Sequence, residues 1–252
     1  MTTSGHTILI TGGGTGIGFS MAQAFAEAGN TVLACGRRED KLAEAQKRLP
    51  ALKTIAADVS TEKGRADLAS WATSLGVNIL INNAGMQRMV DFKHGLRSLE
   101  AGDNEVRCNL EAPVYLTAAL VPHLMKMKDP AIFNVSSALG FVPIAFMPIY
   151  CATKAAVHSF SISLRHQLAP AGIKVFEVIP PTVDTDLDRG ARAGRGQTDR
   201  GIKPEVVAQE VLKAMGEDRF EIAVGMATNL VNGSKISFDQ IFQRMNSIIV
   251  LV

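Results

Sequence analysis

The amino-acid sequence predicts an α/β fold: a single Rossmann-like, doubly wound parallel sheet of about seven strands with helices on both faces. Two observations support this prediction. Short β-rich segments alternate with helical patterns along the chain, which is typical of βαβ units and a parallel sheet. The first β-rich segment, residues 7–11, also leads through a glycine-rich turn directly into a helical pattern. We therefore expect residues 1–252 to form one domain.

The predicted elements follow one another at short intervals. Strands are predicted at 6–11, 31–35, 53–57, 78–82, 131–135, 173–179 and 220–224. Helices are predicted through Ile17 and Phe25, through Leu42 and Leu49, through Leu68 and Leu75, over 105–127, from Tyr150 through Leu168, and over 204–215 and 238–245. Segment 86–105 is polar and irregular and is expected to form the rim of a site. Segment 184–203 has no apolar period and is interpreted as a mobile substrate lid or a disordered loop.

Composition limits the classes of partner. The chain is 47% hydrophobic and 20% charged, enough apolar material for a large core. Its 26 basic and 24 acidic residues leave a net charge of +2, and basic residues form no block longer than a pair, so we expect neither nucleic acid nor an anionic membrane as a partner. The uncharged stretch 130–153 is interrupted by Pro143 and Pro148, which favours a buried strand, a loop and a helix start over a membrane span.

The cysteines and histidines predict neither a disulfide scaffold nor a metal site. Cys35, Cys108 and Cys151 are odd in number and scattered, as expected of reduced thiols in a cytosolic protein. Neither they nor the five histidines have metal-ligand spacing. A strand-like segment begins almost at once, which leaves no room for a signal peptide. We expect a cytoplasmic protein without a bound metal.

A glycine-rich turn follows the first predicted strand. Gly12, Gly16 and Gly18 have the spacing G-x-x-x-G-x-G, which differs from the G-x-G-x-x-G of ordinary dinucleotide-binding folds. Glycines allow the backbone to approach a pyrophosphate, whose charge is favoured by the N-terminus of the following helix. The alternative interpretation is a glycine-rich turn without a ligand.

The second predicted strand ends at Gly36 and is followed by Arg37 and Arg38. NAD-binding folds often place an acidic residue at this point to bind the ribose 2′-hydroxyl. A guanidinium group instead suits a 2′-phosphate, through forked hydrogen bonds assisted by charge. The sequence therefore favours NADP(H) as the cofactor, with NAD(H) possible. The alternative is that both arginines are solvated residues before the next helix.

Polar residues also follow the third and fourth predicted strands. Asp58 follows one, and Asn83, Ala84 and Gly85 follow the other. Open α/β sheets bind ligands outside the carboxyl ends of their strands, so we expect these residues at a site. Asn109 lies in a predicted helix among apolar neighbours. A mid-helix asparagine is usually solvent-facing or satisfied locally, and it gains a further role only beside a site.

Tyr150 and Lys154 open a predicted helix four positions apart, so they share one face of it. A tyrosine titrates near ~10 in isolation and is a poor acid or base at neutral pH, unless a neighbouring cation favours its phenolate. This spacing can supply such a cation. Taken alone, the pair is equally well explained by the surface of an amphipathic helix.

Together these motifs resemble the short-chain dehydrogenase/reductase family. The residues that carry the resemblance, over about 6–185, are Thr11-Gly12-x-x-x-Gly16-x-Gly18, Asn82-Asn83-Ala84-Gly85, Asn109, Ser137, Tyr150-x-x-x-Lys154 and the proline turn at Pro180. Within the family, Asp58-Val59, Arg165-His166-Gln167-Leu168 and the segment 180–185 are most similar to DltE-type oxidoreductases.

The resemblance implies a set of catalytic residues. Tyr150 would be the general acid in reduction and the general base in oxidation. Lys154 would bind the nicotinamide ribose and lower the pKa of the phenol. Ser137 would hydrogen-bond the substrate oxygen, and Asn109 would anchor a water that relays protons from Lys154.

The resemblance also implies a cofactor site. The pyrophosphate and ribose would lie against Gly12, Thr15, Gly16, Ile17 and Gly18, and the adenine against Asp58 and Val59. Asn83, Ala84 and Gly85 would support the central strand and the cofactor, and Pro180, Val183 and Thr185 would contact the nicotinamide carboxamide.

Two features depart from the family pattern. Pro180 is followed by Pro181 rather than glycine, which stiffens the turn on the nicotinamide side. The chain ends in the tail 247–252 rather than in Asp-Gly-Gly, and this tail is interpreted as a strand, an oligomer contact or an ordered remnant. The family suggests a homodimer or homotetramer, with a dimer formed through the helices that contain Asn109 and Tyr150.

The resulting hypothesis is an NADP(H)-dependent oxidoreductase that transfers a hydride between the nicotinamide and a small carbonyl or alcohol substrate. The alternative is a non-catalytic NADP(H)-binding regulator on the same fold. Two groups of residues bear on the substrate. Met86, Phe141, Phe146 and Met147 suggest an apolar pocket, and Arg189, Arg192, Arg195 and Arg200 suggest tolerance of an anionic group.

Overall fold

A computed structural model describes residues 1–100, 104–187 and 200–247. Within them, the strands are β1 (Thr7–Thr11), β2 (Thr31–Gly36), β3 (Lys53–Ala56), β4 (Ile79–Asn82), β5 (Ala131–Val135), β6 (Lys174–Ile179) and β7 (Glu221–Ala223). They form one 7-stranded sheet in the order β3-β2-β1-β4-β5-β6-β7. Each neighbouring pair is parallel, which confirms the predicted fold class.

The described part of the chain contains the α-helices α1 (Gly16–Glu27), α2 (Glu39–Arg48), α3 (Glu62–Ser74), α4 (Arg97–Glu100), α5 (Ala112–Leu124), α6 (Pro148–Leu168), α7 (Pro204–Gly216), α8 (Ala227–Ser234) and α9 (Phe238–Ser247). A π-helical turn, Arg107–Glu111, leads into α5, where the sequence predicted a continuous helix. Two of the helices in the described residues were not predicted. Helix α4 has only 4 residues, too few for periodicity, and α8 contains asparagine and glycine, which have low helix propensity.

Helices cover both faces of the sheet because side chains alternate along β1. Ile8 and Ile10 enter one buried cluster with residues of α1 and α7. Leu9, between them, enters a second cluster with residues of α3, α5 and α6. The doubly wound arrangement predicted from the sequence is therefore confirmed.

The strand order reverses beside β1, which pairs with β2 on one side and β4 on the other. Ligands of open α/β sheets bind at such a switch point, outside the carboxyl ends of the strands. The Thr11 hydroxyl fastens this point: its Oγ1 accepts hydrogen bonds from the backbone N–H groups of Asn83 at 3.0 Å and Ala84 at 2.9 Å. The chain leaving β4 is thus bonded to the end of β1.

Some predictions fall outside the described residues. They include most of the loop 184–203, with Arg189, Arg192 and Arg195, and the tail after Ser247. Among the residues that are described, no helix is long and apolar enough to cross a membrane. The same residues contain no cluster of three or more His, Cys, Asp or Glu side chains able to hold a metal ion.

Candidate functional site

A cleft of about 390 Å³ opens at the switch point of the sheet. Its volume suits a small ligand or cofactor. The structure brings most of the sequence-predicted site residues to its wall, namely Gly12, Thr15, Gly16, Ile17, Gly18, Arg37, Arg38, Asp58, Val59, Asn83, Ala84, Gly85, Tyr150, Lys154, Pro180 and Thr185. Three predicted residues, Asn109, Ser137 and Val183, are not among the described lining residues.

The glycine turn packs backbone directly against backbone. A Cβ added at Gly18 would lie 2.3 Å from the carbonyl oxygen of Gly12, far inside van der Waals contact. Gly12 itself has φ 66°, a conformation that favours glycine. The Asn83 amide fixes the turn by donating to the carbonyl oxygens of Thr11 at 2.9 Å and Gly12 at 3.4 Å. Gly16, Ile17 and Gly18 at the start of α1 line the cleft, where a helix N-terminus favours a pyrophosphate.

Basic side chains line the cleft beyond β2. Arg37 and Arg38 are both exposed. Lys41, which the sequence analysis did not single out, joins them from the first turn of α2. Its Nζ pairs with Glu44 at 2.8 Å, and this hydrogen bond raises the pKa of Lys41. These cations make this end of the cleft favourable for an anionic group.

Asp58 is held by its own turn rather than by a cation of the cleft wall. Its Oδ1 accepts hydrogen bonds from the backbone N–H of Ser60 at 2.9 Å and from the Ser60 hydroxyl at 2.7 Å. The orientation of this carboxylate is therefore set by local backbone geometry before any ligand enters.

Tyr150 and Lys154 lie one turn apart near the start of α6, where Pro148 occupies the first helical position. Both are buried, at 7% and 5% exposure. The Lys154 Nζ donates to the Val135 carbonyl oxygen at 2.8 Å and lies 5.8 Å from the centroid of the Tyr150 ring. Burial lowers the pKa of Lys154 from 10.5 to about 8, since desolvation disfavours the ammonium. Near neutral pH the cation is therefore present but readily loses its proton.

Ser137 is buried and precedes a 3₁₀ turn, Ala138–Gly140, at the end of β5. Its Oγ accepts a 3.2 Å hydrogen bond from the Leu139 N–H. The hydroxyl acts as acceptor in this bond, so its own proton can be donated to another oxygen. The turn therefore orients the hydroxyl and leaves it a donor.

Asn109 lies in the π-helical turn before α5 and is 1% exposed. Its amide donates to the Met86 carbonyl oxygen at 2.8 Å and to Thr153 Oγ1 at 3.1 Å, and its Oδ1 accepts from the Met86 N–H at 2.9 Å. A Cβ on Gly85 would lie 3.6 Å from both Asn109 Oδ1 and Lys154 Nζ. Asn109 thus joins the loop after β4 to α6 beside the lysine, and it is neither solvent-facing nor satisfied within its own helix.

Of the three residues predicted in the proline turn after β6, two border the described cleft and one does not. The Pro180 carbonyl oxygen accepts from the Ala138 N–H at 3.1 Å, and Thr185 lies against Gly16, so both border the cleft. Val183 packs against the hydrophobic core and forms a bridge with Ile202. This bridge brings together the two ends of segment 184–203. The two interpretations of this segment, a mobile lid or a disordered loop, stay predictions.

The residues predicted to form an apolar substrate pocket divide into two sets. Phe146 and Met147 are buried in one cluster with Tyr150, so they support the tyrosine ring. Phe141 packs instead against His158, with ring centroids 4.3 Å apart. Met86 lines the cleft itself.

Several lining residues were not found from the sequence. Apart from Lys41, they are Gly14, Cys35, Gly36, Leu42, Ala57, Cys108, Val135, Ser136, Asp186 and Leu187. Their position in the sequence could have identified most of them, because they lie directly beside a predicted site residue or at the end of a predicted strand.

A glycine-lined cleft at the switch point of a seven-stranded parallel sheet defines the class, a doubly wound α/β protein with its site at the carboxyl edge. Comparison with known proteins gives the family. The family model described as short chain dehydrogenase matches residues 6–196. The chain is 43% identical to the oxidoreductase DltE of Bacillus subtilis, over 98% of this chain and 99% of that protein. It therefore belongs to the short-chain dehydrogenase/reductase family of oxidoreductases, and its predicted likeness to DltE is confirmed.

Solved structures agree with this assignment. A short-chain dehydrogenase from Burkholderia cenocepacia, in complex with NADP, superposes with a TM-score of 0.82 at 27% identity, covering 97% of this chain and 99% of that one. A 3-ketoacyl-(acyl-carrier-protein) reductase from Brucella melitensis, complexed with NADH, gives 0.76 at 28% identity, covering 86% and 93%. Proteins similar to this chain thus bind either dinucleotide.

Proposed function

We propose that this protein is an NADP(H)-dependent oxidoreductase that transfers a hydride between the nicotinamide and a carbonyl or alcohol carbon, with Tyr150 as general acid and base. The observation that carries the proposal is that Tyr150 and Lys154 share one cleft with the glycine turn and the two arginines. The hydride chemistry is supplied by the cofactor when it is bound. The protein supplies orientation, proton transfer and charge stabilisation.

Each catalytic side chain has a distinct proposed role. Tyr150 donates a proton to the substrate oxygen in reduction and accepts one in oxidation. Lys154, whose Nζ lies 5.8 Å from the tyrosine ring centroid, favours the phenolate by its charge and binds the nicotinamide ribose. Ser137 donates its hydroxyl proton to the substrate oxygen. Asn109 anchors a water that relays protons from Lys154.

The cofactor is proposed to lie along the remaining cleft wall. The glycine turn and the start of α1 would bind the pyrophosphate, and Asp58 with Val59 the adenine. Asn83, bonded to the end of β1, supports this wall. At the other end, Pro180, Val183 and Thr185 are proposed to contact the nicotinamide carboxamide. For Val183 this requires contact through its backbone, since its side chain packs on the core.

The proposed activity is tested by incubating the purified protein with NADPH and a broad panel of aldehydes and ketones. We expect NADPH oxidation, followed by the fall in its absorbance, with at least one carbonyl compound and none in its absence. Persistent inactivity together with tight NADPH binding would contradict the enzyme and favour a non-catalytic NADP(H)-binding regulator. A boiled sample is the control for non-enzymatic oxidation.

We expect the protein to bind NADPH at least about tenfold more tightly than NADH, equivalent to ~1.4 kcal/mol. The reason is that the exposed guanidinium groups of Arg37 and Arg38 line the cleft and can pair with the 2′-phosphate. Calorimetric titration measures both affinities. The double substitution Arg37→Ala and Arg38→Ala should reduce the preference and leave NADH binding nearly unchanged.

The matched control is Lys47→Ala, which removes a cation from the last turn of α2. It should leave the preference intact, because Lys47 is not a lining residue of the described cleft. Equal affinity of the unsubstituted protein for NADPH and NADH would remove the assignment to NADP(H).

We also propose that the chain forms a homodimer or homotetramer, with a dimer formed through the segments that contain Asn109 and Tyr150. An apolar groove of about 360 Å³ supports this. It lies between the two segments and is lined by Phe92, Val106, Leu110, Pro148, Ile149, Ala152 and Thr153. A second copy of the chain is a suitable occupant, since such an open apolar surface gains stability when it is covered.

A further inference from the structure

The carboxylate of Glu177, in the middle of β6, is completely buried. Its Oε1 accepts a 2.5 Å hydrogen bond from the Ser136 hydroxyl, and its Oε2 lies 2.8 Å from His158 Nδ1. Burying a charge is costly unless it is paired and hydrogen-bonded, and here both oxygens have partners. The three side chains form a continuous hydrogen-bonded series, and none of them takes part in the proposed reaction steps.

The inner end of this series reaches the cleft. Ser136 is a lining residue, and it stands between Val135, whose carbonyl oxygen accepts from Lys154, and the proposed catalytic Ser137. Any change in how the Ser136 hydroxyl is held therefore acts on the strand end that carries Ser137.

The outer end reaches solvent. The His158 side chain is 25% exposed and lies one helical turn beyond Lys154 on α6, so Tyr150, Lys154 and His158 share a helix face. Both Lys154 and His158 thus fasten this face of α6 to the sheet. Lys154 bonds the end of β5, and His158 bonds Glu177 of β6.

The charges around the imidazole favour its protonated form. The hydrogen bond with Glu177 raises the pKa of His158, and Glu221 on β7 adds to this effect. Partial desolvation and the charge of Lys235 act in the opposite direction. On α6, the Arg165 guanidinium also senses Glu177 and Glu221, although its hydrogen bonds go to the carbonyl oxygens of Val175 and Phe220.

We propose that His158 and Glu177 are positioning residues, which couple the protonation of a partly exposed imidazole to the geometry of the serine strand end in the cleft. The imidazolium holds the Glu177 carboxylate against α6, and the carboxylate holds the Ser136 hydroxyl. When the imidazole loses its proton, the buried carboxylate loses its nearest positive charge and the strand end is held less firmly. The effect on turnover rests on the proposed function, whereas the coupling itself requires no substrate.

The coupling is tested by following the ring signals of nitrogen-labelled histidine in the full chain by NMR as a function of pH. The His158 signal is assigned by its loss in His158→Asn. In Ser136→Ala, we expect the His158 titration midpoint to rise, because the Glu177 carboxylate loses a competing hydrogen-bond donor and its bond to the imidazolium strengthens. An unchanged midpoint in this variant would overturn the proposal, whether or not the protein proves to be a reductase.

The same titration with saturating NADPH tests the link to the cleft. We expect the midpoint of His158 to move in the unsubstituted protein and to stay fixed in Ser136→Ala, since binding and protonation at coupled sites affect each other reciprocally. The opposite result would be a His158 midpoint that is the same with and without bound NADPH in the unsubstituted protein. That result would show that the hydrogen bonds from His158 to Ser136 do not influence the cleft, and it would overturn the proposed coupling.

Turnover provides the second readout, with a carbonyl substrate from the panel. In the unsubstituted protein, we expect kcat to decline as the pH rises through the raised pKa of His158. The variant His158→Asn keeps a hydrogen-bond donor toward Glu177 but cannot titrate, so this decline should be missing. Glu177→Gln keeps the shape without the charge and should lower kcat about tenfold, while KM and NADPH affinity change less than about threefold. Superimposable pH profiles for all three proteins would refute the positioning role.

Discussion

Tyr150→Phe should lower turnover by about 10²–10⁴-fold, the usual contribution of general acid–base catalysis. The substitution removes one oxygen and keeps the ring, which packs in a buried cluster with Phe146, Met147 and Cys151. Packing is therefore retained, and the loss can be assigned to the missing hydroxyl. NADPH affinity and thermal stability should change little, because the proposed cofactor contacts of the glycine turn and of Arg37 are unaffected. Steady-state kinetics with NADPH and an active carbonyl compound measure the effect.

The sequence contains a second tyrosine, which offers a matched control. Tyr115 lies on α5, is 58% exposed, and has the Arg65 guanidinium 4.9 Å from its ring centroid. Tyr115→Phe makes the same chemical change outside the described cleft lining and should retain full turnover. Unchanged turnover in Tyr150→Phe would mean that the proton comes from another group, and the proposed mechanism would fall.

The strands and the cleft edge could be predicted because their signals are local. Along β1, alternation of Ile8, Leu9 and Ile10 between two cores follows from the period of a strand, and the glycine turn stands directly beside it. Helix α8 lacked such a signal. Its asparagines and glycine favour other conformations, and the helix is stabilised instead by burial of Ala227 and Val231.

The partners of Glu177 could not be predicted, although the residue itself falls within a predicted strand. Ser136 is 41 positions away and His158 is 19 positions away, so only the assembled sheet and α6 bring them together. Asn109 is an intermediate case. The family resemblance indicated a role for it, but its bonds to Met86 and Thr153 depend on how α6 packs against the loop after β4.

Gly140→Ala should lower turnover by about 10–100-fold, because the serine turn and α6 are in backbone contact at this residue. An added Cβ would lie 2.8 Å from the Lys154 carbonyl carbon and 2.9 Å from the Ala155 nitrogen. These are backbone atoms, so the contact cannot be relieved by rotation of a flexible side chain. Either the turn or the helix must shift, and Ser137 moves relative to Tyr150 and Lys154. A misplacement of ~1 Å in a reacting geometry can cost ~10²-fold in rate.

The same crowding should also lower the free energy of unfolding, by about 1–3 kcal/mol as in other overpacked sites. Kinetics must therefore be measured well below the melting temperature of the variant, with NADPH binding as a check on the fold. Gly216→Ala is the matched control, because its added Cβ would meet only the Thr3 methyl group at 3.3 Å, at the end of α7 and outside the described cleft lining. It should keep full turnover. If Gly140→Ala does as well, the relative position of Ser137 and α6 does not limit the reaction, and the proposed role of Ser137 would be refuted.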